Sequence, residues 1–441
     1  MRMIANVFTR VAERYLPDAF IFVFFLTFVV FILGLLKGYQ PNQVLDFWGD
    51  GFFDILTFTA QATLMLVTGF ALAHTPIVNK MLVAFARIPR NEVQVIALTT
   101  LVMMVCSWFS WGFGLIAGAI VAREMGIVHR GKIHYPLVVA ASYAGFIVWH
   151  AGYGGAIPTL IATEGHFLEG TMGVIPVSQT IFSFNTLIIL LALVLIIPLT
   201  MVMMRPRANE ARRDIPESEV SFEEKSHVPL VDKKSLTPAE MIENARFVPL
   251  LLGIVGCVWL VQYFATGGSI NLNIVIMTFF ALGLLFTHST KEYITYFTGG
   301  AKSSYGIIMQ FPFYAGIMGI MIHTGLAADI ASMFVAIANE NTLPFWGFIS
   351  AGIVNMFVPS GGGQWAVQGP IMAEAASQLN ADMSRVAMGV AWGDAWTNML
   401  QPFWTLPLLA IAGLGIRDIM GYTAVVLIVS GFVIGAGLLF I

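Results

Sequence analysis

Long apolar runs, separated by charged or turn-rich breaks, dominate this chain of 441 residues. A helix needs about 20 apolar residues to cross a bilayer. On that basis we predict transmembrane helices near residues 18–36, 52–75, 135–163, 178–204, 247–266, 273–288, 303–323, 384–414 and 419–441. The pattern indicates an all-α polytopic membrane protein.

Two further pairs of apolar segments are shorter, and 14 residues of helix reach only about 21 Å. The pairs are 93–106 with 109–122, around Ser107 to Gly114, and 343–358 with 364–377, around Pro359 to Gln364. Non-helical backbone at membrane depth is tolerated only where it is buried in protein or lines a watery cavity. We therefore predict re-entrant hairpins at 93–122 and 343–377, whose tips handle a polar solute.

The same order of elements, helix, helix, hairpin, helix and helix, occurs twice along the chain. We predict a first repeat at 1–204 with a broken helix at 135–163, a solvated linker at 205–246, an extra helix at 247–266, and a second repeat at 267–441 with a broken helix at 384–414. The two repeats run in opposite directions, so their topology is inverted, as in many secondary transporters. A few rare residue types match at offsets of 249 and 250, including Gln61 with Gln310 and Ser110 with Ser360.

The composition excludes a soluble globule, because 58% of the residues are hydrophobic and only 11% are charged. Lys and Arg concentrate in cytoplasmic loops. With the N-terminus inside, 20 of the 22 basic residues lie in inside segments, and only Lys37 and Arg385 do not. We predict a bacterial inner-membrane protein with a cytoplasmic N-terminus and 205–246 loop and a periplasmic C-terminus. Nucleic acid is not an expected partner.

The two hairpin tips and the two broken helices should meet near the midplane. A helix that begins at a tip presents free N–H groups and a partial positive charge, so it can hold a carboxylate without Lys or Arg. We therefore predict a small monoanion as substrate, with Trp365 beside its apolar tail. The candidate binding residues are Ser107, Ser110, Gly112, Gly114, Ser360, Gly361, Gly362, Gly363, Gln364, Trp365, Thr397, Asn398 and Gln401.

Asp394 lies in an apolar stretch, where a carboxylate is costly unless it pairs, takes up a proton or binds a cation. We predict that it couples transport to Na⁺ or H⁺, with His150 as a second coupling residue; a packing role for His150 stays open. Nothing indicates an enzyme, a cofactor or a metal cluster: serine chemistry needs a positioned base, and an aspartic dyad needs a second carboxylate. A cation/proton antiporter that uses Asp394 is the main alternative, ahead of an intramembrane hydrolase or a channel.

Two motifs carry a family resemblance. They are NMFVPSGGGQW, from Asn355 to Trp365, and GDAWTNMLQPFW, from Gly393 to Trp404, and the opening RVAERYLPDAF from Arg10 to Phe20 supports them. The chain resembles the short-chain fatty acid transporter family over essentially its whole length. The resemblance implies a carrier of butyrate- or acetoacetate-like acids, within a larger group of ion-coupled carriers with paired hairpins. Those relatives often work as homodimers by an elevator motion, which we expect here.

Overall fold

The computed structural model describes residues 19–207, 210–217, 237–356 and 358–441. Within these ranges the chain is helical and contains no strand. Residues 1–18 of the predicted cytoplasmic N-terminus, residues 208–209 and 218–236 of the linker, and Phe357 in the first motif lie outside the described residues.

The first half of the chain contains both long and short helices. In order they are α1 (Ala19–Leu36), α2 (Pro41–Gly51), α3 (Leu56–His74), α4 (Pro76–Phe85), α5 (Glu92–Phe109), α6 (Trp111–Val128), α7 (Tyr135–Ala144), a 3-10 segment (Gly145–Ala151), α8 (Ala156–Ile161), α9 (Glu169–Met172) and α10 (Phe184–Met203). The chain leaves α-helical geometry between α7 and α8, which is the predicted interruption of the first broken helix.

The second half repeats this order after two helices near the linker. The helices are α11 (Pro238–Glu243), α12 (Phe247–Ala265), α13 (Leu272–Phe286), α14 (Thr290–Ser303), α15 (Tyr305–His323), α16 (Leu326–Ile337), α17 (Leu343–Asn355), α18 (Gly361–Leu379), α19 (Met383–Thr397), a 3-10 segment (Asn398–Leu400), α20 (Pro402–Ala412) and α21 (Ile416–Phe440). An offset of 249 residues places α3 on α15 with identical bounds, and an offset of 250 places the first residue of α6 on that of α18. The two offsets found in the sequence therefore also relate equivalent helices of the two halves.

The equivalent helices run in opposite directions where they touch. Tyr143 contacts Asn398 and, further along the first broken helix, His150 contacts the earlier residue Asp394 of the second. Residue numbers thus rise along one broken helix as they fall along the other. The fold is an all-α polytopic membrane protein with two inverted repeats, each with a helical hairpin and an interrupted helix.

The hairpin arms differ from the predicted bounds. The arms α5 and α6 have 18 residues each instead of about 14, and both are long and apolar enough to be among eight candidate spans in the described ranges. The arms of the first hairpin are therefore longer than predicted, and its re-entrant course stays a prediction. In the second hairpin α17 has only 13 residues. The sequence pattern also did not predict the short helices α2, α4, α14 and α16. These helices are formed by polar or amphipathic stretches beside the spans.

Part of the linker is packed instead of solvated. Ile215 is buried and its side chain lies against Gly126, near the end of α6. The Arg213 carbonyl accepts a hydrogen bond from the Tyr135 N–H (2.9 Å), and the Arg213 guanidinium contacts Asp418 at 2.5 Å. Arg212 pairs with Glu92 at 2.9 Å, which raises the pKa of the Arg212 guanidinium. Residues 210–217 therefore join the first hairpin, α7 and α21, so the prediction of a solvated linker was wrong for them.

Candidate functional site

The two hairpin tips have the same local structure. Ser110 and Ser360 are extended N-cap residues, with φ of −160° and −157°, and the hydroxyl of each accepts a hydrogen bond from the N–H three residues on, at 3.3 Å. The Gly114 and Gln364 N–H groups donate to the Ser110 and Ser360 carbonyls. A serine cap exposes the remaining N–H groups of the first turn, because these have no acceptor within the helix. Each tip is thus built to present backbone donors.

Both tips lie beside the interior of long helices. Gly112 packs on Leu66 in α3, whereas Gly362 packs on Phe58, eight residues earlier in the same helix. Eight residues of helix correspond to about 12 Å. Gly363 packs on Tyr314 in the middle of α15. The two tips therefore approach α3 about two turns apart, and the second tip lies beside the beginning of α3 and the middle of α15.

From the sequence, the glycine run at the second tip is expected to supply dihedral angles that other residues cannot adopt, but in the structure its role is different. Gly361, Gly362 and Gly363 form the first turn of α18, and none of them has a positive φ. Each one instead contacts a large ring: Gly361 touches His150 and Trp149, Gly362 touches Phe58, and Gly363 touches Tyr314. The absence of side chains allows close helix packing rather than unusual dihedral angles. In this conformation those rings cover the glycines of the tip.

Asp394 and His150 form the only charged or titratable pair in the buried centre of the described chain. His150 Nε2 donates to Asp394 Oδ2 at 3.2 Å, and both side chains are fully buried. Asn398 Nδ2 donates to the same carboxylate oxygen at 3.2 Å. Because the imidazole also contacts Gly361, it connects the second tip to Asp394. The two predicted coupling residues therefore lie next to each other.

Asn355 organises the polar residues around this pair. Its Nδ2 lies 2.8 Å from the Asp394 carbonyl, 2.9 Å from Thr397 Oγ1 and 2.8 Å from Asn398 Oδ1. The backbone carbonyl of Asn355 accepts a hydrogen bond from Gln401 Nε2. The last turn of α17 is thereby fixed to the interruption between α19 and α20. The predicted residues Thr397, Asn398, Gln401 and Asp394 are brought together by this asparagine.

Gln364 and Trp365 lie in the first two turns of α18, beside α17. Gln364 Nε2 donates to the Ala351 carbonyl at 2.9 Å and to Gln368 Oε1 at 3.0 Å. The Trp365 ring is fully buried beside Gly369 and Leu168, and its indole N–H has no acceptor within the described ranges. Both residues are thus close to the second tip, and Gln364 is hydrogen-bonded to α17.

The first tip is joined to the centre through aromatic rings. The rings of Trp111 and Trp404 lie 5.1 Å apart, and Trp404 is 6.1 Å from Trp149, which contacts His150. Ser107 is turned away from these rings and lies within 3.4 Å of the carbonyls of Met104 and Gly145. Gly114 packs on Ser107. Ser107 and Gly114 therefore support the first hairpin, whereas Ser110 and Gly112 form its tip.

One known protein family matches the whole chain. The sequence profile of the short-chain fatty acid transporter family matches residues 1–441. The chain belongs to this family. A protein of Escherichia coli (strain K12), provisionally named a short-chain fatty acid transporter, is 40% identical over 439 residues. A protein of Haemophilus influenzae (strain Rd) with the same provisional name is 37% identical over 446 residues, and both alignments cover 98% of each chain.

A solved structure has a similar fold. The crystal structure of the YdaH transporter of Alcanivorax borkumensis, described as revealing an unusual topology, aligns with a TM-score of 0.56 over 95% of this chain and 98% of that one. The sequence identity is 12%, so the likeness concerns the fold alone. Together with the family match, it makes this chain a multi-pass membrane transporter.

A small acidic cavity, called the vestibule below, lies at the beginning of α3. A cavity of about 70 Å³ is lined by polar residues that include Asp54, Gln61, Glu164 and His166. Phe58 lines this cavity and also contacts Gly362 at the second tip. Burial raises the pKa of Asp54 and lowers the pKa of His166. The vestibule therefore adjoins the second tip through the Phe58 ring.

Sequence reasoning missed three residues of the transporter's centre. Asn355 lies within the recognised motif, and its position one turn before the tip was a usable signal. Tyr143, whose hydroxyl donates to the Asn398 carbonyl at 2.7 Å, and Trp149 occur in an apolar stretch of the first broken helix. Their roles depend on which helix crosses that stretch, and the sequence pattern does not contain this information.

Proposed function

We propose that this protein carries short-chain monocarboxylates, such as butyrate or acetoacetate, across the bacterial cytoplasmic membrane and couples their movement to a cation at Asp394. Family membership supports the class of substrate. The single observation that supports the site is a charge pattern: two capped helix N-termini reach the protein interior, whereas no Lys or Arg is buried in the described ranges.

The carboxylate of the substrate would bind at the second tip. The first amides of α18, at Gly361 and Gly362, begin a helix whose dipole favours an anion. Two fully buried indole N–H groups near this tip, those of Trp149 and Trp365, have no acceptor within the described chain. A buried donor without an acceptor is costly. A bound carboxylate would satisfy such donors, and the surrounding rings would cover a short alkyl tail.

His150 would connect the substrate to the coupling ion. Its imidazole contacts both the Gly361 tip and the Asp394 carboxylate. Charge at Asp394 therefore changes the electrostatic potential at the anion site, and a cation bound there would favour the substrate's negative charge. This arrangement supports symport rather than movement of the acid alone.

Alternating access would move the two hairpins and the two broken helices as one unit. Tyr143 binds the Asn398 carbonyl and His150 binds Asp394, so the two broken helices are held together. Phe58 of α3, which covers Gly362, would be the outer boundary of the site. We further propose a homodimer with a cytoplasmic N-terminus and linker and a periplasmic C-terminus, on the basis of the basic-residue distribution and the family resemblance.

Uptake of radiolabelled butyrate into proteoliposomes tests this function. The protein is compared under an imposed Na⁺ gradient, an imposed pH gradient and no gradient. We expect accumulation with one of the two gradients and only slow equilibration without them. If butyrate does not move under any gradient, the proposed function is wrong.

A cation/proton antiporter is the second candidate, because the Asp394–His150 pair and the acidic vestibule could serve ion exchange alone. Ion flux in liposomes that contain no organic acid decides between the two. Exchange of Na⁺ for H⁺ under those conditions, together with no butyrate uptake, would support the antiporter.

A further inference from the structure

Four buried side-chain oxygens around the end of α17 have no hydrogen-bond donor within the described ranges. They are Asn355 Oδ1, Gln364 Oε1, Asp394 Oδ1 and Gln401 Oε1. Each residue is at most 4% exposed. All four atoms are acceptors, and leaving such an atom unsatisfied costs about 1–3 kcal/mol. The missing partner of these four oxygens must therefore carry positive charge or hydrogen-bond donors. A carboxylate substrate carries neither.

The orientation of the three amides is fixed by their nitrogen atoms. Asn355 Nδ2 faces the Asp394 carbonyl, Gln364 Nε2 faces the Ala351 carbonyl, and Gln401 Nε2 faces the Asn355 carbonyl. A backbone carbonyl can only accept, so exchanging the nitrogen and oxygen of any amide would place two acceptors against each other. The free atoms are therefore oxygens.

Helix polarity favours a cation at the same place. Asn355 is the last residue of α17, and Asp394 and Thr397 lie in the last turn of α19. Helix C-termini carry partial negative charge, and broken helices of transporters use such ends to bind cations. The nearby tip of α18 has the opposite polarity. The cation site thus lies at the C-terminal end of α17, and the anion site lies at the N-terminal end of α18.

We propose that a Na⁺ ion binds among these oxygens, with Asp394 as its charged ligand and Asn355, Gln364 and Gln401 as neutral ligands. One carboxylate matches a monovalent ion, and no group of three or more His, Cys, Asp or Glu residues suited to a transition metal occurs in the described chain. A proton on Asp394 would leave the amide oxygens unsatisfied. The acidic vestibule formed by Asp54 and Glu164 would attract a cation from that side. This assignment deepens the proposed function, on which it rests for its role in coupling.

Equilibrium binding of ²²Na⁺ to the purified full-length protein tests the site without transport. We expect saturable binding that K⁺ and choline do not displace, and a Tm that rises with Na⁺ but not with choline, because a ligand of the native state stabilises it. Asp394→Asn and Gln401→Leu should each weaken binding by about tenfold or more, since affinity depends on the number and charge of the ligands. The control Gln378→Leu removes an exposed amide from the far end of α18 and should bind Na⁺ as the unmodified protein does.

Two variants are used because Asp394→Asn could prevent folding, which size-exclusion chromatography would show. No ²²Na⁺ binding by the unmodified protein, equal displacement by K⁺, or full binding by a folded Gln401→Leu variant would each overturn the site. Butyrate accumulation driven by a pH gradient without Na⁺ would reject Na⁺ coupling and leave the carrier function intact. Na⁺ binding that is lost in the variants, without butyrate transport, would instead support the site and reject the carrier.

Discussion

The imidazole of His150 and the carboxylate of Asp394 lie 3.2 Å apart, although 243 residues separate them in the chain and each belongs to a different repeat. Both side chains are fully buried. A buried charge is costly unless it is paired, so each residue needs the other or a bound ion. The pair is therefore the point at which the two broken helices depend on each other.

This dependence predicts that the two residues act as a unit. Asp394→Asn and His150→Gln should each lower gradient-driven butyrate uptake by about tenfold or more, and the double variant should be little worse than the worse single variant, because contacting residues are not additive. Initial uptake rates of the four proteins measure the interaction. His74→Gln is the control, since the His74 imidazole contacts the Phe70 carbonyl of its own helix and the Tyr296 ring, and neither belongs to the candidate site. Multiplicative losses in the double variant would mean that the pair is not a functional unit.

The serine caps of the two tips give a second prediction. Ser110→Ala and Ser360→Ala should each destabilise the protein by about 1 kcal/mol through loss of the cap. Ser183 caps α10 in the same way, with its hydroxyl accepting from the Thr186 N–H at 3.3 Å, far along the chain from either tip. Ser183→Ala should therefore lower the Tm similarly.

Transport separates the tip caps from this control. The half-saturation concentration for butyrate should rise in Ser110→Ala and Ser360→Ala and stay unchanged in Ser183→Ala, because only the first two caps orient amides at the proposed site. Equal half-saturation concentrations in all three variants would show that the tips do not bind the substrate.

Much of this fold follows from the hydrophobic pattern alone. The long helices, the hairpins, the breaks and the inverted order are local consequences of apolar length and of glycine and proline positions. The short helices α2, α4, α14 and α16 were missed because amphipathic stretches beside a span resemble loops. The glycine run was assigned to unusual dihedral angles, but the structure shows that its cause is close packing on rings from α3, α15 and the first broken helix.

The candidate site was predictable in part for the same physical reason. Asp394 and Asn398 are polar residues in an apolar stretch. Burying such side chains costs free energy, so their presence there indicates a functional site. His150 could be named but not paired, because its distance from Asp394 depends on the crossing of two helices from different repeats. The roles of Asn355 and Ile215 depend on contacts with residues far away in the chain. The sequence pattern does not reveal such contacts.

The contact of Gly362 with Phe58 yields a third prediction. A methyl group on Gly362 would overlap the Phe58 ring, so Gly362→Ala should destabilise the protein by about 1–3 kcal/mol and reduce butyrate uptake. Phe58→Leu in the same protein removes part of the ring and should restore most of the Tm. Gly49→Ala is the control, because a side chain there would meet open space. An unchanged Tm in Gly362→Ala would contradict the close approach of the second tip to α3.

The packed part of the linker gives a fourth prediction, which separates burial from surface charge. Ile215→Ala should cost about 2–4 kcal/mol, because the buried side chain leaves a cavity against Gly126 and Tyr135. Arg213→Ala removes a half-exposed ion pair with Asp418 and should cost about 1 kcal/mol or less. Ile242→Ala, at a side chain that is 59% exposed, should change the Tm least. Thermal unfolding in detergent ranks the three variants. A Tm for Ile215→Ala equal to that for Ile242→Ala would mean that residues 210–217 do not hold the first hairpin and α21 together, and the linker would then be solvated along its length.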